Sequence, residues 1–106
     1  AAQELERVAV LPIRSSLVSG RLVTGAAVSP DDSLLVVRTY VSLHFLRLRP
    51  NAPPVPLGRR EGVTIPFVEA QGEAVTFEAA DRLVLTSERG TSARGSICRL
   101  HLTVAR

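Results

Sequence analysis

VTGAAVSPDDSLLVVRTYVSLHFLRL, residues 23–48, holds three apolar runs, split by one polar turn, Ser29-Pro30-Asp31-Asp32, and by a brief hinge near Thr39-Tyr40. Short runs of aliphatic and β-branched residues bounded by turn formers predict consecutive strands of one sheet. The first run carries Gly25, Ala26 and Ala27, small residues that suit a place where backbones crowd. The second, LLVVR at 34–38, is apolar on both faces, the pattern of a strand covered from above and below. The third, SLHFLRL at 42–48, alternates and sets His44, Leu46 and Leu48 on one face.

Downstream, GEAVTFEAADRLVLTSE at 72–88 and ICRLHLTV at 97–104 repeat this order. Gly25 and Gly72 are 72 − 25 = 47 apart, Val37 and Leu85 are 85 − 37 = 48 apart, and Leu48 and Leu102 are 102 − 48 = 54 apart. A loop at 89–96, RGTSARGS, absorbs the growth, and a near-constant period of this size is a repeat signature. Two further stretches, LERVAVLPI at 5–13 and GVTIPFVE at 62–69, each hold one proline and predict outer edge strands, since proline cannot donate to a ladder. Residues 14–21 read as a loop. RPNAPPVPLG at 49–58 carries four of the seven prolines and predicts an extended connector with little hydrogen bonding. The chain thus reads as one module over 1–106: an outer strand at 5–13, a first unit at 22–69 and a second at 70–106.

With 106 residues and 45% hydrophobic content, one domain with an aliphatic core is expected. All 13 basic residues are Arg, interspersed with acids along the chain, whereas nucleic-acid binders concentrate charge on one element, so no nucleic-acid partner is expected. Cys98 stands alone, which rules out an intrachain disulfide and a cysteine-based metal site, and its alternation with Leu100, Leu102 and Val104 predicts a buried structural thiol. His44 and His101 lack nearby carboxylates in sequence, and no metal or other cofactor is expected. No apolar run is long enough to span a bilayer as a helix, and no membrane partner is expected. The N-terminal residues lack the charged and apolar regions of a signal peptide, and the compartment is left open.

Four strands per unit of this length resemble a blade of a β-propeller. Residues 23–48 look like the inner three strands of a WD40-type blade, with SPDD where such blades often carry Ser-Pro-Asp-Gly. QGEAVTFEAADRLVLTSERG, at 71–90, is similar to blades of six-bladed phytase-like and lactonase-like propellers. Asp32 stands in place of the usual Gly, the Trp-Asp and Gly-His pairs of WD40 repeats are absent, and Ala79-Ala80 replaces the turn motif. The resemblance implies an all-β chain of two four-stranded antiparallel blades. Two blades cannot close a ring, so it also implies either a homo-oligomer, three copies making six blades, or the remainder of a larger propeller.

In such blades the connections entering the inner strand and leaving the second strand lie on one face of the disc, where ligands bind around the channel mouth. This places Thr24, Gln71 and Glu73 at the openings of inner strands and Arg38, Tyr40, Glu88 and Arg89 at or beyond the ends of second strands. Carboxylates flanked by Arg at a channel mouth suit a small molecule, a carbohydrate or an anion, or else form a structural ion pair. The leading expectation is a binding or interaction scaffold. An exported phytase-like or lactonase-like hydrolase using Glu73, and an oligomeric propeller lectin, are the alternatives. Asp31-Asp32 is read as turn chemistry, and RGTSARGS as a loop with neither nucleophile-elbow nor phosphate-loop spacing.

Overall fold

A computed structural model describes residues 4–11, 13, 22–58, 62–65, 71–88 and 96–103, with the side chains of 71–73, 88 and 96 outside the description. Among these residues the chain is all-β, with no helix and no closed sheet. Sheet one runs β1 (Val23–Val28), β2 (Leu34–Thr39), β3 (Ser42–Arg49) and β4 (Ala52–Leu57), with β5 (Val63–Thr64) also paired to β3. Sheet two runs β6 (Gln71–Ala79), β7 (Arg82–Glu88) and β8 (Ser96–His101). Every pairing is antiparallel, as short hairpin connections require.

Alternation along β2 decides how the sheets meet. Val36 faces sheet two and joins Leu43, Ile65, Val75, Leu83 and Leu85 in the core, with Ala27, Phe45, Phe77, Leu100 and Leu102 packed around it. Val37, Thr39, Ser42, His44 and Leu46 are also buried, on the opposite face of sheet one. The doubly apolar run therefore is buried on both sides, and Val36 and Leu85, on the middle strands, have no exposed surface.

Three expectations change. The proline-rich stretch at 49–58 is an edge strand: β4 pairs with β3 through Phe45↔Leu57, Leu46↔Pro56 and Arg47↔Val55, although Pro53, Pro54 and Pro56 fall within it. An edge needs ladder donors on one side only, and this is why prolines are accepted there. The outer strand expected at 62–69 is reduced to Val63–Thr64, with 66–69 outside the described residues, so β4 and β5 follow one another along the same edge of β3 and sheet one has five strands. Sheet two has three strands of its own, the number the second unit supplies when its fourth must come from elsewhere. Finally, residues 4–11 and 13 form no strand, because among the described residues no strand edge pairs with them, and Leu5, Val8 and Val10 are 103, 76 and 81% exposed.

Turn chemistry fixes the hairpins. Asp32 takes φ 61°, the left-handed conformation that glycine usually supplies at that place, and aspartate tolerates it better than most residues. At the β3 to β4 turn, Pro50 precedes Asn51 at φ 56°, which suits the second and third positions of a type II turn. Gly62 has φ 75°, and a Cβ there would stand 2.5 Å from the Leu43 carbonyl oxygen and 2.8 Å from the His44 ring, so only glycine fits.

Candidate functional site

The end of β2 brings the two sheets together. Arg38 follows Val36 on the face toward sheet two and is completely buried. Its Nη1 donates to the carbonyls of Ala74 at 3.0 Å and Thr86 at 3.2 Å, and its Nε donates to the Thr39 carbonyl at 3.3 Å. Ala74 and Thr86 are direct cross-strand partners, so one guanidinium bridges β6 and β7 from sheet one. A guanidinium cannot shed its charge on burial, and carbonyl acceptors are what make such a position tenable. These bonds make Arg38 a positioning residue for the end of sheet two.

Glu73 directly precedes Ala74, and Gln71 pairs with Glu88 across β6 and β7. The register of β6 shifts between Gly72 and Ala74, leaving Glu73 at the irregularity. Sheet one has the same feature: its register shifts between Val23 and Gly25, leaving Thr24 there. The correspondence continues through the ladders. Arg38 and Thr86 are 48 apart and pair with Gly25 and Ala74. Leu46 and Leu100, 100 − 46 = 54 apart, occupy matching places opposite β2 and β7. The offsets of 48 and 54 read from the sequence therefore follow the ladder register, while the inner strand is offset by 73 − 24 = 49 instead of 47. The structural counterpart of Glu73 is Thr24, not Ala26. Aligning glycine with glycine missed the irregularity, which is a property of pairing and not of composition.

Thr24, Arg38 and Tyr40 thus share one end of the sheets with the backbone of Gln71, Glu73 and Glu88, while Arg89 lies outside the described residues. Tyr40 is half-buried in the turn after β2. The Thr24 hydroxyl is buried with no hydrogen-bond partner among the described residues. A buried orphan hydroxyl is unusual enough to mark the irregularity as a place where another polar group belongs.

A second polar group was not foreseen. Thr39 Oγ1 accepts from the Val41 and Ser42 amides at 3.2 and 3.0 Å and lies 2.7 Å from Ser42 Oγ, which is 2.9 Å from His44 Nε2. With both Thr39 lone pairs engaged, its proton goes to Ser42, while the direction of the Ser42–His44 bond follows the His44 tautomer. Only with Nε2 unprotonated would this be the proton geometry of an activated serine. All three residues are buried, however, and the chain of bonds spans the β2 to β3 turn, which assigns it to fixing that turn. Its signal in sequence is Thr39, Ser42 and His44 spaced to share one face.

At the opposite end, Asp31 Oδ1 accepts from Ser29 Oγ and Ser33 Oγ, each at 2.7 Å, and from the Ser33 amide at 3.1 Å. The Ser33 hydroxyl first, then the Ser29 hydroxyl and the Ser33 amide, hold its carboxyl at about 2, below the ordinary 3.8. Between this turn and the Ala80-Asp81 turn a cleft of about 1120 Å³ opens, lined chiefly by Leu43, Phe45, Leu57 and Val63 on one wall and Leu100 and Leu102 on the other. No family model, curated protein or solved structure matches this chain.

Proposed function

We propose that the chain is a β-propeller-type binding scaffold whose ligand site lies at the sheet end carrying Thr24, Tyr40, Gln71, Glu73 and Glu88. The observation that carries this reading is the paired irregularity: two sheets in matching register each place a polar residue, Thr24 or Glu73, at the same backbone position. An irregularity of this kind re-aims a side chain at the cost of ladder bonds, a device over-represented at binding sites. Arg38 supports the site by holding the Ala74 and Thr86 carbonyls, so the backbone beside Glu73 is rigid before any ligand arrives. The buried Ser42 and His44 pair does not favour hydrolysis, because no substrate reaches it. Matching register also favours blades over a self-closed sandwich. Val37 faces away from sheet two while its counterpart Leu85 faces sheet one, the relation produced by rotating one blade onto the next.

The test is an amide-resolved titration of the labelled chain with inorganic phosphate, calcium chloride and a neutral disaccharide, chosen to cover an anion, a metal and a sugar. At least one probe is expected to shift the amides of Thr24, Tyr40 and Glu73 together, and Glu73→Ala is expected to weaken that response about tenfold while the thermal melt stays within a degree or two. Shifts confined to other regions, or unfolding of Glu73→Ala without any ligand effect, would sink the reading and leave Glu73 a structural ion-pair partner.

A further inference from the structure

We infer that the bare edge of β8 and the adjoining cleft receive residues 4–11 of a second copy of this chain as an added strand. This rests on the common register of the two ladders and not on the ligand site above. Three observations converge. By the 54-residue offset β8 corresponds to β3, and β3 has β4 and β5 along its outer edge, while among the described residues nothing pairs with the outer edge of β8. A bare edge offers a row of unpaired amides and carbonyls, which is a template for a strand from another chain. The space beside that edge is the apolar cleft, with Leu57 and Val63 on the far wall and Leu100 and Leu102 on the near one, so an added strand would find apolar surface and not solvent.

The third observation supplies the occupant. Among the described residues, 4–11 have no ladder partner, and Val8 and Val10, which alternation sets on one side, are 76 and 81% exposed. Ala9, Leu11 and Ile13 on the other side are half-buried against their own chain. The segment is therefore held by one face and presents the other outward, the posture of a donor and not of a strand folding back to its own β8. The donor would lie antiparallel to β8 with Val8 and Val10 directed into the cleft beside Cys98 and Leu100. The contact joins different surfaces of the two copies, and its repetition closes a ring where the rotation per copy divides a full turn.

The experiment uses the whole chain at micromolar concentration. Light scattering is expected to give a multiple of 11.4 kDa, and Val8→Asp with Val10→Asp is expected to return it to the single-chain mass with an unchanged circular dichroism spectrum. Cys98 is the sole cysteine, which makes a second readout simple. Val8→Cys or Val10→Cys with a short bismaleimide is expected to give a covalent multimer on a denaturing gel, and Thr76→Cys, on the other face of sheet two, is expected to give none. A native chain at 11.4 kDa, a multimer indifferent to the double Asp variant, or cross-linking confined within one chain would each overturn the proposal. The last of these would assign the edge to the same copy, and the second would assign assembly to another surface.

Discussion

The two sheets share a ladder register but finish their outer edges by opposite means. Sheet one ends on β4, where Pro53, Pro54 and Pro56 remove three amide donors from a six-residue strand. Such an edge cannot template another strand. Sheet two ends on β8, SICRLH, which has no proline and, among the described residues, no partner on its outer edge. One edge is therefore chemically closed and the other open, and strand addition to this chain has a direction. The core between the sheets is not divided in that way: Val36 from one and Leu83 and Leu85 from the other are equally free of solvent. Pairing chemistry sets the sheets apart, and packing joins them.

The largest blow to that joint is expected from Arg38→Met. The unbranched apolar side chain of methionine fills part of the space but leaves the Ala74 and Thr86 carbonyls without their charged donor, and bonds to charged groups contribute about 1.5–3 kcal/mol each. A loss of about 3 kcal/mol or more is expected in urea denaturation, with amide exchange rising first in β6 and β7. An unshifted midpoint would mean that Arg38 is an accessory to the interface and that the apolar core alone couples the sheets.

Next comes the core. Leu85→Ala is expected to cost about 2–4 kcal/mol, because a fully buried leucine leaves a cavity that strands on a close-packed interface cannot collapse to fill. Val36→Ala, facing it from sheet one, is expected to cost somewhat less, in proportion to the smaller volume removed. If both variants keep the parent midpoint, these strands are not the core of the fold. If only one loses stability, the sheets fold as separable units and the comparison sharpens.

Much of this arrangement was legible in residue order. The doubly apolar run around Val36 and Val37 gave away a strand buried on both faces, and the spacings of 48 and 54 follow the ladders. Other parts were hidden for physical reasons. Prolines at 50–56 argue for a connector unless the strand has an edge to itself, and edge position is a tertiary fact. Residues 5–13 carry strand-like alternation, yet alternation does not provide a partner, and among the described residues there is none and so no ladder. Arg38 was placed at the right end of β2, but its depth depended on which face sheet two covers, and no local pattern encodes that. The irregularities at Thr24 and Glu73 arise only when two strands are set side by side.

The smallest effect expected separates the two hairpin turns. In sheet one Asp31 accepts from Ser29 and Ser33, whereas the sheet two turn is Ala80-Asp81, where the Asp81 carbonyl accepts from the Leu102 amide just past β8. The Asp31 carboxyl is held at about 2 in the folded chain against an ordinary 3.8, so the folded state binds this proton less readily than the unfolded one. Its contribution is present above the unfolded value and fades as pH falls from about 4 toward about 2. Asp31→Asn keeps the shape and removes the charge, so its melting temperature is expected to lie slightly below the parent's at pH 7 and to approach it as pH falls toward 2. The carboxyl sits at the surface, where solvent screens it, so the difference is expected to be small and to shrink in high salt. A gap for Asp31→Asn that stays constant from pH 7 to pH 2 would mean that the turn depends on the shape of the side chain and not on its charge.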